Sequence, residues 1–145
     1  MIQKQFTVIT TEVSQEQIWK VISNVNQWNT WDNGVEFAEL QGKFESNSSF
    51  LLRPKGGPKI KIKLVEVKEK TYFKDMTSFP LATMYGEHWY EETEHGLKIT
   101  VRMTLTGILS ALWYKIVMKD IVAGLEKDQN ALITAAKKIE SHAKV

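Results

Sequence analysis

The sequence predicts a single α+β domain in which a strongly curved, seven-stranded antiparallel sheet wraps a long C-terminal helix, with two short helices after the first strand. Three observations support this prediction: an opening strand followed by a clear helix start, a central run of alternating segments, and a helical stretch that closes the chain. One helix can cover a seven-stranded sheet only if the sheet curls around it. A length of 145 residues suits one domain with its own core.

The first element is a strand that leads into a well-marked helix. Residues 2–11 alternate in polarity and are rich in Thr, Val and Ile, which is typical of a strand. Ser14 and Gln17 have the spacing of a capping box, and Val13 and Ile18 have that of a hydrophobic staple. This pattern predicts a helix that starts at Ser14.

The middle of the chain is predicted to form six more strands. A short turn or small helix through residues 26–32 precedes them, and Asn33-Gly34 marks a turn. Short connections favour antiparallel neighbours, and in 59–64 lysines alternate with apolar residues, so one face of the sheet meets water. The predicted strands are 35–41, 47–54, 59–68, 71–78, 83–92 and 97–106.

After Gly107 the pattern becomes helical to the end of the chain. The apolar face of residues 109–116 is rotated by roughly 120° from the later stripe, at about 100° per residue. We therefore expect a bend or two helical pieces that meet near residues 117–120. The later stripe consists of Ile121, Leu125, Leu132, Ala136 and Ile139.

Composition excludes several classes of function. Nineteen Lys+Arg against 17 Asp+Glu give a net charge of +2, which does not indicate a nucleic-acid-binding protein. The absence of cysteine excludes disulfides, zinc thiolate sites and thiol nucleophiles. The three histidines (His88, His95 and His142) lack a metal-ligand spacing, and no phosphate-binding glycine loop is present, so we expect no metal and no cofactor.

Hydropathy points to a cytoplasmic protein without integral membrane association. No apolar run approaches the roughly 20 residues that span a bilayer. The first six residues lack the apolar core of a signal peptide.

Three segments of the chain resemble a known superfamily. They are Ser14-Gln15-Glu16-Gln17-Ile18-Trp19 after the opening strand, the Trp28-x-x-Trp31 pair, and Ala123-Gly124-Leu125-Glu126 in the closing helix. Together they resemble the START-like (SRPBCC) superfamily with the helix-grip fold, and within it the polyketide cyclase/dehydrase-like group. The resemblance covers essentially the whole chain, although the proline common near the start of the first helix is absent here.

This resemblance implies a hydrophobic cavity with its mouth near the Trp pair and the hairpin loops. It does not imply one reaction, because members include lipid carriers, hormone and flavonoid binders, and aromatase/cyclases. Seven apolar residues are candidate cavity walls, although the same residues would equally make a dry core. These are Ile62, Leu64, Phe73, Met84, Val101, Met103 and Leu125.

Aromatic residues near the expected mouth allow two interpretations each. Trp28 and Trp31 either form a lid over an apolar ligand or plug the gap between the short helix and the sheet. The apolar turn that runs from Phe79 to Ala82 either folds over the mouth or packs on the C-terminal helix.

His88 is the titratable residue of greatest interest, and its orientation depends on hairpin register. A two-residue turn at His95-Gly96 would pair Tyr90 with Val101 and direct His88 inward. A three-residue turn would instead direct Glu87 and its alternating neighbours inward. Burying unpaired carboxylates is costly, which favours the first arrangement. There His88 would orient a ligand or act as a general acid/base, and a purely structural histidine is the alternative.

Asp128 interrupts the apolar stripe of the last helix. It is either a polar anchor inside the pocket or a residue at the edge of the stripe in water. The hydroxyl of Tyr90 is a further candidate contact, as are those of Tyr72 and Tyr114.

The main functional hypothesis is binding or carriage of a small hydrophobic, flat or lipid-like ligand in an internal cavity. One alternative is a polyketide cyclase/aromatase-type enzyme, in which an inward-facing His, Tyr or Asp moves protons. A second alternative is a protein-interaction module of the chaperone-activator type, which predicts a filled cavity and an exposed patch for a protein partner.

Overall fold

The computed structural model describes residues 1–139 and confirms the seven predicted strands. All strand pairs are antiparallel, and the spatial order places the first strand beside the seventh at one end and the second strand at the other. The strands are β1 (Ile2–Thr10), β2 (Val35–Gln41), β3 (Ser49–Pro54), β4 (Ile60–Lys68), β5 (Tyr72–Phe79), β6 (Ala82–Thr93) and β7 (Gly96–Thr106). The sheet is curved and open, and helices lie on its concave face.

Two short helices follow β1, as predicted, and the C-terminal helical region is divided into pieces. A π-helix and the break at Gly124 interrupt that region, close to the predicted bend. The helices are α1 (Gln15–Ile22), a 3-10 helix (Val25–Thr30), α2 (Ser110–Trp113), the π-helix (Tyr114–Met118), α3 (Lys119–Ala123) and α4 (Leu125–Lys137). The prediction that the helix continues to the C-terminus concerns residues 140–145, which lie outside the described residues.

The start of α1 is fixed by the predicted capping box. The Gln17 backbone N–H donates to Ser14 Oγ at 3.2 Å, and the Ser14 N–H donates to Gln17 Oε1 at 2.8 Å. The side-chain amide of Gln17 also donates to the Ile139 carbonyl at 2.8 Å. This last bond ties the start of α1 to the chain just beyond α4, so the two helices are held together over the concave face.

The β6–β7 turn corrects one expected detail. Thr93 pairs with Gly96, so the two turn residues are Glu94 and His95 rather than His95 and Gly96. Tyr90 consequently pairs with Ile99, and the expected pairing of Tyr90 with Val101 is wrong. The pairing shifts by two positions, and because side chains alternate with a period of two, each residue keeps the face expected for it.

The core beneath the helices consists of two apolar clusters. The first cluster joins α1, the 3-10 helix, strands β2 to β5, the ends of β6 and β7 next to their shared turn, and the end of α4, with Ile18, Phe50 and Leu132 among its buried residues. The second cluster joins the far ends of β6 and β7 to the π-helix and the start of α4, with Met84 and Met118 among its buried residues. The candidate site lies between these two clusters.

Candidate functional site

A carboxylate and an imidazole meet on the concave face between the two clusters. Asp75 of β5 pairs across the sheet with Gly86 of β6 and with Leu64 of β4, and His88 pairs with Phe73 and Val101. His88 Nε2 lies 3.1 Å from Asp75 Oδ2. The two side chains remain 17% and 18% exposed, so solvent reaches this part of the interior.

Phe73 and Gly86 give this pair its geometry. The phenyl ring of Phe73 stacks on the imidazole at 4.0 Å between centroids, with an interplanar angle of 6°. A Cβ atom on residue 86 would lie 2.8 Å from Asp75 Oδ1 and 2.9 Å from Oδ2. Gly86 therefore makes room for the carboxylate, and the stacked ring holds the imidazole against it.

The contact with Asp75 also determines which tautomer of His88 is favoured. A carboxylate accepts a hydrogen bond, so Asp75 favours the tautomer in which Nε2 of His88 carries the proton. In that tautomer Nδ1 is left as an acceptor. The pair therefore offers a ligand one oriented ring nitrogen and the remaining lone pairs of the carboxylate.

Three buried polar atoms near the clusters have no hydrogen-bond partner among the described residues: Tyr90 Oη, Gln129 Oε1 and Trp31 Nε1. Burial raises the pKa of the Tyr90 hydroxyl, and the charge of Asp75 raises it further, so this group stays protonated. Buried polar groups nearly always find partners in folded proteins. These atoms are therefore candidate contacts for a polar group on a ligand.

Asp128 lies on α4 between the two clusters. Along the helix it follows Leu125, which belongs to the second cluster, and precedes Leu132, which belongs to the first. Burial raises the pKa of Asp128 to about 6, the negative charge of Asp32 adds to the rise, and Lys127 opposes it. We refer to Asp75, His88, Asp128 and Gln129 together as the polar band, because each lies between the two apolar clusters along its own strand or helix; the name describes this position and not a contact between the two helix residues and the Asp75–His88 pair.

The predicted cavity walls are all buried, but they are divided between the clusters. The first cluster contains Ile62, Leu64 and Phe73, together with Tyr90. The second contains Met84, Val101, Met103 and Leu125, with Phe79 packed against it. The structure thus places the predicted wall residues on both sides of the polar band.

The two tryptophans differ in their contacts. Trp28 donates its Nε1–H to the Ile22 carbonyl at 3.0 Å and packs edge-on against Phe50, with 5.2 Å between ring centroids. The ring centroids of Trp31 and Trp28 are 6.5 Å apart. The buried Nε1–H of Trp31 has no hydrogen-bond partner within residues 1–139. The contacts of Trp28 are those of a structural plug, whereas Trp31 keeps a donor free.

The β5–β6 turn packs on the C-terminal helical region. Phe79 stacks on Trp113 with 4.7 Å between ring centroids, and Trp113 Nε1 donates to the Pro80 carbonyl at 2.9 Å. Leu81 points outward and is 64% exposed. Of the two interpretations of this turn, packing on the helix describes Phe79.

The convex face of the same strands carries a second carboxylate site. Arg102 donates to Glu87 Oε1 from Nε at 3.0 Å and from Nη2 at 2.8 Å, and the Tyr72 hydroxyl donates to Oε2 at 2.9 Å. The guanidinium also lies over the Trp89 ring at 4.9 Å. Burial alone would raise the pKa of Glu87, but the hydrogen bonds from Arg102 and Tyr72 outweigh it and lower the pKa.

Sequence reasoning missed Asp75 and Gly86, although a signal for both was present. A glycine inside a strand pattern often marks the close approach of another group. A two-residue turn at Pro80-Leu81 pairs Phe79 with Ala82, and counting back from it along both strands places Asp75 opposite Gly86. Neither the turn nor the glycine was used in this way.

Two open surface recesses lie outside the polar band. One, of about 360 Å³, lies on the convex face against Tyr72 and Trp89. The other, of about 500 Å³, lies at the rim near Thr10 to Ser14 and the β6–β7 turn. Of the candidate contacts named from the sequence, Tyr72 lines the first recess, and none lines the second.

Within residues 1–139, no group of three or more acidic or histidine side chains is arranged to hold a metal ion. His142 lies outside that range. No helix in the described part of the chain has the length and hydrophobicity needed to cross a membrane.

Comparison with known proteins identifies the family. Residues 5–137 match the family model described as polyketide cyclase/dehydrase and lipid transport. In a sequence comparison with curated proteins, no match was found.

Solved structures share the fold at low sequence identity. A hypothetical protein of Helicobacter pylori aligns with a TM-score of 0.74 at 10% identity, over 93% of this chain and 88% of that one. The di-domain ARO/CYC StfQ of the steffimycin biosynthetic pathway gives 0.70 at 13% identity, over 94% of this chain and 49% of that one. Ara h 8.0201 gives 0.66 at 14% identity, over 94% and 96%. These likenesses confirm the helix-grip fold.

Proposed function

The chain belongs to the polyketide cyclase/dehydrase and lipid transport family, and from that premise we propose that it binds and carries a small apolar or lipid-like ligand between the sheet and the C-terminal helices. The observation that carries this proposal is the Asp75–His88 pair, which is partly exposed on a concave face whose other residues are mainly apolar. Ligand sites in proteins commonly combine apolar walls with a few polar groups that set orientation. The polar band supplies such groups here. A cytoplasmic location remains a prediction from the sequence.

Binding would be driven by burial of apolar surface. Each Å² of apolar surface removed from water contributes about 25 cal/mol to the binding free energy, before the entropic cost of ordering the ligand and side chains is subtracted. The two clusters would supply the walls, and the ligand would lie between them at the level of the polar band. The hydroxyl of Tyr90 would then donate to a carbonyl or hydroxyl oxygen of the ligand, and Nδ1 of His88 would accept a hydrogen bond from a hydroxyl or protonated carboxyl group.

Entry of a ligand requires the clusters to separate, and the C-terminal region contains two helical irregularities where this is easiest. The π-helix precedes α3, and Gly124 separates α3 from α4. Single-turn π segments occur frequently at functional sites. Movement of the α2–α3 region about Gly124 would open the second cluster while α4 stays bound to α1.

The first test is native mass spectrometry of the purified protein followed by organic extraction. We expect a co-purifying apolar mass, or failing that saturable binding of anilinonaphthalene sulfonate. Met103→Trp places a larger side chain in the second cluster, next to Gly86 on the neighbouring strand, and should abolish both signals. Met76→Trp is the matched control, because Met76 pairs with Tyr85 and Lys63 on the convex face.

Two outcomes would contradict this proposal. In the first, the wild-type protein carries no apolar mass and binds no probe. In the second, Met103→Trp binds as tightly as Met76→Trp, which would place the ligand elsewhere.

The same pair favours proton-transfer catalysis as a second candidate function. A carboxylate that orients an imidazole leaves the other ring nitrogen able to accept a proton next to a carbonyl group. The test is exchange of the methyl protons of acetophenone in deuterated water, followed by NMR. An exchange rate that His88→Gln leaves unchanged would exclude this role for His88.

A further inference from the structure

One end of the molecule exposes four large apolar side chains. Leu81, in the β5–β6 turn, is 64% exposed, and Ile108, just after β7, is 85% exposed. Leu112 and Ile116, at the start of the C-terminal helical region, are 46% and 54% exposed. We call these four residues the apolar tip.

Close contacts join the two segments of the apolar tip into one surface. The Leu109 N–H donates to the Leu81 carbonyl at 3.1 Å, and the indole of Trp113 donates to the Pro80 carbonyl at 2.9 Å. Gly107 has a φ of 114°, and a Cβ there would lie 2.5 Å from the Leu81 carbonyl oxygen. A glycine is therefore required for this approach, and the tip is held in place by the fold.

Leu81 occupies a backbone conformation that leucine rarely adopts. Its φ is 59°, in the left-handed region that favours glycine. A leucine at this position exposes apolar surface and also strains the backbone. Neither effect helps the folded chain by itself, which points to a role for this side chain outside the molecule.

The exposed face of the helical region mixes apolar and basic side chains. Leu112, Lys115, Ile116 and Lys119 are all exposed and follow the i, i+3, i+4, i+7 spacing of one helix face. Met118, on the other side, is fully buried in the second cluster. A helix that packs on a core normally turns a polar face to water, so the outward leucine and isoleucine are unusual.

The charge around the apolar tip is mainly positive. The stretches 76–86 and 103–119 contain no Asp or Glu, and their charged residues are Lys115 and Lys119; the exposed Asp120 follows directly after them. The tip therefore presents apolar groups beside two positive charges. This combination complements a surface whose outer layer is anionic and whose inner layer is apolar.

We propose that the apolar tip docks this protein on the surface of a lipid bilayer that contains anionic headgroups. Apolar side chains enter the boundary between headgroups and acyl chains, while Lys115 and Lys119 contact the phosphate groups. A second copy of the chain is a poorer occupant, because a two-fold interface on this patch would place the lysines of both copies near one another. This docking goes beyond ligand binding and does not depend on the identity of the ligand.

The test is co-sedimentation with vesicles of phosphatidylcholine alone or mixed with phosphatidylglycerol. We expect the wild-type protein to bind the anionic vesicles more tightly, with binding that weakens as salt is raised. Ile108→Glu should lower the partition coefficient by about tenfold or more, since it puts a charge in place of an exposed apolar group that would enter the bilayer. Ile9→Glu is the matched control, because Ile9 on β1 is also half-exposed but lies away from the tip. The double change Lys115→Gln and Lys119→Gln should weaken binding to anionic vesicles by about fivefold per lysine.

A site-specific readout is available because the chain contains no cysteine. Ile108→Cys and Ile9→Cys can each be labelled with an environment-sensitive nitrobenzoxadiazole dye. The emission of the label at residue 108 should shift to shorter wavelength when anionic vesicles are added, and the label at residue 9 should not respond. Both variants keep Trp113 and Phe79 in place, so a folding defect is not expected.

Three results would overturn the proposal. The first is no binding of the wild-type protein to either vesicle type. The second is an equal loss of binding in Ile108→Glu and Ile9→Glu. The third is a dimer, or a complex with an acidic protein, that Ile108→Glu dissociates while no vesicle binding occurs.

Discussion

Glu87 and His88 are consecutive residues of β6, yet their side chains lie on opposite faces of the sheet in different chemical environments. On the convex face, Glu87 receives two hydrogen bonds from Arg102 and one from Tyr72. On the concave face, His88 stacks on Phe73 and makes one hydrogen bond, with Asp75 at 3.1 Å. The convex carboxylate thus has both of its oxygens occupied, whereas within residues 1–139 the concave pair keeps hydrogen-bonding capacity unused.

This difference separates a stabilising network from a binding site. A carboxylate whose two oxygens both accept hydrogen bonds contributes to the fold and has little capacity left for a ligand. The Asp75–His88 pair is about as exposed as Glu87 but makes one hydrogen bond, so it contributes less to stability and can accept an incoming group. We therefore assign stability to the convex face and ligand recognition to the concave face.

The largest effect is expected from Glu87→Ala. Removal of the carboxylate leaves the half-buried Arg102 without its acceptor, and we expect a loss of about 2 kcal/mol in the free energy of unfolding. Affinity for anilinonaphthalene sulfonate should stay unchanged. Urea unfolding and a fluorescence titration measure the two quantities.

The matched control for this change is Glu91→Ala, on the same strand and face but exposed. It should alter the free energy of unfolding by less than about 0.5 kcal/mol. Equal destabilisation by both changes would remove the special role of the Glu87 network.

A smaller effect is expected from His88→Gln, and this change should alter ligand affinity more than stability. Loss of the oriented ring nitrogen should weaken ligand affinity by about tenfold, which corresponds to about 1.4 kcal/mol. The free energy of unfolding should change by less than about 1 kcal/mol, because His88 makes one hydrogen bond whereas Glu87 accepts three. A variant that loses stability and keeps its affinity would reverse the assignment of the two faces.

Gly86→Ala tests the Asp75–His88 contact without removing either residue. The added methyl group would lie 2.8 Å from Asp75 Oδ1, so the carboxylate must turn away from the imidazole. We expect affinity to fall by about fivefold, somewhat less than for loss of the imidazole. In an Asp75→Asn background the same change should have a smaller effect, and full additivity in this double-mutant cycle would show that Gly86 acts by another route.

The smallest effect concerns pH, where the two regions should respond with opposite sign. The folded pKa of Asp128 is about 6, above its ordinary value of 3.8, so its protonated form stabilises the fold below pH 3.8. That contribution is lost as the pH rises through about 6. The pKa of Glu87 is lowered, so its contribution is present above its ordinary value and is lost as the pH falls through the folded value.

Asp128→Asn isolates the first of these contributions. It should raise the free energy of unfolding by about 1 kcal/mol near neutral pH and flatten its dependence on pH between about 4 and 6. Urea unfolding of both proteins across this range is the measurement. Parallel pH profiles for the two proteins would indicate that burial of Asp128 does not affect stability.

The fold could be predicted from the sequence because its local signals agree. The capping box at Ser14, the alternation in β4 and β7 and the short turns all favour the same architecture. The bend in the C-terminal region could also be predicted, since the apolar face rotates between residue 116 and residue 121. The π-helix at this bend could not be predicted, because one inserted residue changes the hydrophobic periodicity of the sequence very little.

The site was predictable only in part. The inward orientation favoured for His88 follows from the parity of the β6–β7 register, even though the turn lies one residue earlier than expected. Asp75 was missed because a charged residue in a strand is ordinarily placed on the wet face, and its burial depends on Gly86 and His88 across the sheet. The division of the wall residues into two clusters depends on packing between distant segments, which periodicity does not report.

The most direct test of the account uses the methionine methyl groups as reporters in NMR. Met84, Met103 and Met118 belong to the second cluster, whereas Met76 lies on the convex face and Met1 is exposed at the N-terminus. With carbon-13 labels on these methyl groups, the co-purified ligand or anilinonaphthalene sulfonate is titrated into the protein. The account predicts that the resonances of the three cluster methionines shift with a common affinity while those of Met1 and Met76 stay in place. A shift confined to Met76 would place the ligand on the convex face and contradict the account.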